Sequence, residues 1–166
     1  KTALKLYQES LKIDPDHSMT WNNLGSLLDR GGRREQAVKC IQKARELDPD
    51  NVEATYNLGA LMLTQKKPND AIPLLMEALQ KRPTLVPAAT QLARAFMQTG
   101  RTEDALKIWR QLTASHPGAW LQIARIELNR GNEKAARQAI AQGRAKGGKR
   151  FDAALEKNPE LKKLAG

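Results

Sequence analysis

Aromatic residues make up only 4% of the 166 residues, and the chain holds one cysteine and two histidines. So few rings leave a core to be built from Ala and Leu, which favours helices packed closely through short side chains. Cys40, the one cysteine, excludes an internal disulfide and leaves the redox compartment open. No apolar run approaches the roughly 18 residues of a bilayer span, so a soluble chain is expected, in the cytoplasm or the periplasm. His17 and His116 fall in turn regions with no Cys or acidic partner at ligand spacing. A metal site, a catalytic centre and a cofactor are therefore not expected, because nucleophile, base and orienting group cannot be assembled from this inventory. There is no initiator Met and no signal-like segment at Lys1, so the sequence reads as part of a longer protein.

Charge is present in excess of one sign. The formal net charge is +10, and it is unevenly spread: residues 1–100 carry 14 Lys/Arg against 11 Asp/Glu, residues 101–166 carry 14 against 7. Lys146, Lys149, Arg150, Lys157, Lys162 and Lys163 could contact RNA phosphates or an anionic membrane surface, with steep salt dependence. The commoner explanation of such a run is a solvated face, which makes nucleic acid the minor alternative.

What the chain has in abundance is repetition. Pro15, Pro49, Pro83 and Pro117 follow one another at intervals of 34 residues. Residues 18–51 set the frame: Trp21, Leu24, Gly25, Leu28, a Gly31-Gly32 turn, Ala37, Ile41, Ala44 and Asp48-Pro49. Trp21, Leu24 and Leu28 share one helical face by their three- and four-residue spacing. A fixed period of this length marks a helical solenoid, whose core lies between neighbouring repeats.

At these offsets the chain resembles the tetratricopeptide repeat, a helix-turn-helix unit of the same length, over roughly nine tenths of its residues. The resemblance implies an all-α, right-handed superhelical solenoid whose concave groove holds a segment of a protein partner. It implies a scaffold or adaptor and no reaction. The alternative is the substrate-recruiting arm of a larger enzyme.

Repeats are read at 18–51, 52–85, 86–116 and 117–146, preceded by a lone second helix at 1–16 and followed by a capping helix at 150–166. Leu4, Leu6 and Leu11 leave an apolar stripe on that first helix, so its end is expected to fray or to be covered by a partner, and the exposed end helices offer a route to self-association. Gly25 with Ala37 is expected to let the two helices of a hairpin approach closely, and Gly59 with Ala71, Ala93 with Ala105 and Ala124 with Ala136 repeat the pairing. Asp50 with Glu53, Thr102 and Asn132 read as helix caps, and Pro73 as the site of a local bend. Aligning Gly131 with Gly32 shortens the link into the fourth repeat by three residues and places Trp120 where Trp21 stands.

The family lines its groove with the first helix of each repeat. Two places after the Trp21 position stand Asn23, Asn57, Gln91 and Gln122, a ladder of carboxamides that resembles the asparagine ladder of the O-linked N-acetylglucosamine transferase superhelix. A carboxamide donates and accepts at once and so matches a peptide unit without reading its side chain. First helices about 10 Å apart and a peptide advancing about 3.3 Å per residue would bring a rung to roughly every third residue. Ser26, Arg94 and Arg125 lie three places further on the same face, and the two arginines favour an acidic segment there. Asn22 and Tyr56 complete the candidate set, although they stand where a two-carboxylate clamp would need Lys, so the resemblance does not extend to that clamp. Replacing Asn23 and Asn57 together by Ala is expected to weaken partner binding and leave the melting temperature nearly unchanged.

One further motif is weighed and set aside. Residues 143–149 have the Gly-x4-Gly-Lys spacing of a phosphate loop, but Arg150 follows in place of Ser or Thr, and a helix precedes where a strand is required.

Overall fold

A computed structural model describes residues 2–166; Lys1, at the head of the lone first helix, lies outside the described residues. Those residues form ten α-helices and no strand: α1 Ala3–Ile13, α2 Ser18–Arg30, α3 Arg34–Leu47, α4 Val52–Thr64, α5 Pro68–Lys81, α6 Val86–Gln98, α7 Thr102–Leu112, α8 Ala119–Asn129, α9 Glu133–Leu155 and α10 Pro159–Ala165. The chain divides after Thr99 into two compact units.

In the first unit, hairpins α2–α3 and α4–α5 stack so that α4 touches α2, α3, α5 and α6. Their shared core is Leu24, Leu28, Ile41, Leu58 and Leu61 around the fully buried Ala37, Ala44 and Ala54. Glycine in a helix costs about 1 kcal/mol relative to Ala, and the geometry explains why it is present. A Cβ on Gly25 would stand 2.5 Å from Cγ1 of Ile41 and 3.1 Å from the carbonyl oxygen of Ala37. A Cβ on Gly59 would likewise stand 2.9 Å from Cγ of Leu75. The glycine is therefore a socket for the large residue of the second helix, not only for its Ala.

The apolar stripe of α1 is half covered: Leu4 and Leu11 pack with Tyr7 against the core, while Leu6 remains 50% exposed. α5 begins at Pro68 and passes through Pro73 to Lys81 as one helix, with Pro73 exposed. The cap of α4 is Asn51, whose side chain accepts from the amide of Ala54 at 2.9 Å; Asp50 instead accepts the ammonium of Lys81. Asn51 also donates to Ser18 Oγ, which donates to the carbonyl of Ala44, so one cap ties two repeats together.

In the second unit α8 packs on α7 and α9, and α10 closes against α9 and α8. Thr102 is not a cap: α7 starts after Arg101 with no side-chain capping bond. Asn132 does cap α9, accepting from the amide of Ala135 at 3.4 Å. The pattern break is narrower than residues 143–148, because α9 stays helical through Gly147 and kinks at Gly148, with φ 50° and ψ −140°. After the kink Phe151 folds back onto Gly143, where a Cβ would come within 2.2 Å of its ring. Gly143 and Gly147 thus make room for Phe151, while Gly148 supplies the left-handed backbone of the kink. Among the described residues no helix is long and apolar enough to cross a membrane, and no cluster of three or more His, Cys, Asp or Glu is placed to hold a metal ion.

Candidate functional site

In the first unit the predicted residues fall on three adjoining first helices: Asn22, Asn23 and Ser26 on α2, Tyr56 and Asn57 on α4, Gln91 and Arg94 on α6. Asn23, Asn57 and Gln91 are half-buried, Tyr56 is half-buried, and Arg94 is exposed. The side chains of Asn23 and Gln91 make no hydrogen bond among the described residues, so their carboxamides are available.

Asn57 is different. Its amide nitrogen donates to Asn22 Oδ1 at 2.9 Å and to Ser26 Oγ at 3.3 Å. Both donor hydrogens are thus spent inside the fold, and the carbonyl oxygen is what Asn57 can present. Asn22 is only 5% exposed, so it acts as a brace beneath the surface. A buried carboxamide oxygen left without a donor is costly, which makes this bond structural as well as positional.

In the second unit Gln122 and Arg125 lie together on α8, where Arg125 Nη2 donates to Gln122 Oε1. Gln122 is half-buried and Arg125 exposed. Of the basic C-terminal residues, Lys162 pairs with Glu156 at 2.6 Å, and Lys146, Lys149, Arg150, Lys157 and Lys163 are exposed.

An ion-pair cluster joins α3, α4 and α5 in the first unit. Arg45 donates to Thr55 Oγ1 at 3.2 Å and pairs with Glu77 at 2.9 Å, and Lys81 joins Glu77 to Asp50. Arg82 lies 2.5 Å from Glu53 and holds that carboxyl below its ordinary range. Burial pushes the Cys40 thiol up, so it behaves as an inert core side chain.

Sequence reasoning passed over two residues. His17 caps α2, its Nδ1 accepting the amide of Thr20 at 3.2 Å. Glu127, only 7% exposed, occupies the repeat offset where Leu28, Met62 and Phe96 stand. A charged residue at an apolar offset was the available signal.

Stacked helical hairpins following prolines at 34-residue intervals, with a small residue, Gly25, Gly59, Ala93 or Ala124, at one first-helix offset, define a tetratricopeptide-repeat protein, an interaction scaffold. The chain belongs to the family of the cytochrome c-type biogenesis protein H TPR domain, whose model matches residues 3–118. A general tetratricopeptide-repeat model matches residues 90–150. Sequence comparison with curated proteins gives no match. Among solved structures, one of MamA is similar at 23% identity and a TM-score of 0.81, covering 90% of each chain. YrrB, described as a TPR protein with an unusual peptide-binding site, is similar at 18% identity and a TM-score of 0.75, covering 93% of this chain and 82% of its own. MamA residues 41 to the end from Desulfovibrio magneticus RS-1 align at 19% identity and a TM-score of 0.78, covering 85% and 81%.

Proposed function

We propose that the chain is a non-catalytic adaptor of c-type cytochrome biogenesis that holds an extended segment of a protein partner on its first-helix face. The observation that carries this reading is the row of Asn23, Asn57 and Gln91 at one register position on adjoining helices, with Asn57 braced from beneath by Asn22. Asn23 and Gln91 offer a donor and an acceptor each, while Asn57 offers its carbonyl, and an extended backbone supplies the complementary groups at regular intervals. Arg94, exposed on α6 beside Gln91, favours a carboxylate on the bound segment.

The test begins with selection of random displayed peptides on the intact chain. Enriched sequences should be extended and carry Asp or Glu. Asn23→Ala with Gln91→Ala should then weaken the best peptide by at least about tenfold, with the melting temperature held, since neither side chain has an internal bond. No enrichment, or affinity untouched by the double substitution, overturns the reading.

A further inference from the structure

The second unit contains a cleft that the groove reading does not use. It measures about 410 Å3, lies among α7, α8 and α9, and is lined by Arg110, Trp120, Ile123, Glu127, Gln138 and Gln142 among others. Successive helical residues turn by about 100°, so on α8 Trp120, Ile123 and Glu127 share one side while Gln122 and Arg125 take the opposite side. The cleft therefore faces away from the proposed rung of Gln122.

Its chemistry is unusual for this fold. Glu127 replaces the apolar residue found at the same offset in the other repeats, and it is only 7% exposed. Removing a carboxylate from water is expensive unless cations and donors compensate. Here compensation is thin: Asn132 donates to Oε2 at 3.3 Å, and the nearest cation, Arg110 Nη2, stands 3.8 Å from Oε1 with its side chain 63% exposed. Oε1 receives no hydrogen bond among the described residues. Beside it lies the Trp120 indole, whose buried N–H has no acceptor, whereas Trp21 at the same repeat position is tied to the carbonyl of Pro15 at 2.7 Å. Gln138 and Gln142, one turn apart on α9, add two carboxamides at the rim.

We propose that this cleft receives the guanidinium of an arginine side chain carried by a protein partner. A carboxylate, an indole ring and two carboxamides, which can accept, match a planar, five-donor cation that also stacks, and they match an ammonium less well. Arg110 shows the mode of binding in a loose form, since its own guanidinium already leans toward Glu127 from the mouth. The partner's arginine displaces it and completes the pairing of Oε1. The excess positive charge of residues 101–166 does not prevent this, because repulsion beyond about 8 Å is screened at physiological salt.

The test titrates the intact chain with the blocked peptide Ala-Ala-Arg-Ala-Ala and follows the Trp120 indole N–H resonance, assigned through Trp120→Phe. A saturable shift is expected, at least about tenfold weaker with Gln in place of Arg and tenfold weaker in Glu127→Gln. Arg110→Ala should tighten binding about two- to fivefold by removing the competing guanidinium. Should Glu127→Gln fail to fold, Gln138→Ala with Gln142→Ala at exposed positions provides the second arm, with about threefold weakening expected. Absence of a saturable shift, or a shift that the Gln peptide reproduces or that folded Glu127→Gln retains, overturns the proposal. Equal affinity for free arginine amide overturns the assignment to a protein partner.

Discussion

Asn57 donates to the side-chain oxygen of Asn22 across 2.9 Å, joining the first helices of successive repeats through two carboxamides. This bond changes what a ladder substitution does. Asn57→Ala removes the donor and leaves a buried oxygen on Asn22, so it should cost about 1 to 2 kcal/mol in urea unfolding. Asn23→Ala should cost almost nothing in the same measurement. The melting temperature of the Asn23→Ala, Asn57→Ala pair is therefore expected to fall, contrary to what sequence spacing alone suggests. Equal stability of the two single variants would remove the bracing role.

The two tryptophans at the same repeat position differ in one bond. Trp21 Nε1 donates to the Pro15 carbonyl at 2.7 Å, while Trp120 Nε1 is buried with no acceptor. The cause lies in the chain: the link before Trp120 is three residues shorter. Replacing either ring by Phe loses similar apolar area, but only Trp21→Phe also loses a hydrogen bond. Trp21→Phe should therefore be the more destabilising by about 1 kcal/mol, read from paired denaturant curves. A reversed order would show that the Pro15 bond contributes nothing.

The repeat frame was legible because it rests on residues whose backbone or size requirements are local. Gly32, Gly100 and Gly131 all have φ near 76°, and Trp21, Leu24 and Leu28 follow the helical period. What stayed hidden depends on neighbours one repeat away. Asp50 and Asn51 are adjacent polar residues, and only the approach of Lys81 and Ser18 assigns the cap to Asn51. Gly143, Gly147 and Gly148 look alike as breakers, yet Phe151 needs the first two bare while the third alone leaves the helical region. The carboxamide row was readable as a register, whereas the spent donors of Asn57 required the stacked helices.

Arg82 holds the Glu53 carboxyl below its ordinary range, chiefly by hydrogen bonding, so this pair carries a pH signature. A carboxyl with a depressed folded-state pKa stabilises fully above its unfolded pKa, and that contribution is lost as pH falls through the folded value. Both side chains are about half exposed, at 55% and 46%, which limits the effect to below about 1 kcal/mol. Arg82→Ala should therefore lower stability slightly at neutral pH and not at all in acid strong enough to protonate Glu53. Guanidinium would screen the pair, so urea is the denaturant to use. A deficit that persists in acid would trace to the arginine's packing and not to its charge.

Lys66 adopts φ 59° at the hairpin turn where Gly32 and Gly131 have φ 77° and 76°. The surrounding bonds are the same: Lys67 N donates to the Met62 carbonyl at 2.9 Å, as Arg33 N does to Leu28 and Asn132 N to Glu127. Lys66 therefore carries the left-handed penalty of about 1 to 2 kcal/mol that glycine avoids, partly offset by the greater freedom glycine has in the unfolded chain. Lys66→Gly should raise stability by about 0.5 to 1 kcal/mol, and Gly32→Lys should lower it by a similar amount. A Cβ on Gly32 meets nothing within 4 Å, so the second change tests backbone strain without a clash. Opposite signs of comparable size in thermal unfolding are expected; a neutral Lys66→Gly would mean that contacts of the lysine chain compensate for its backbone.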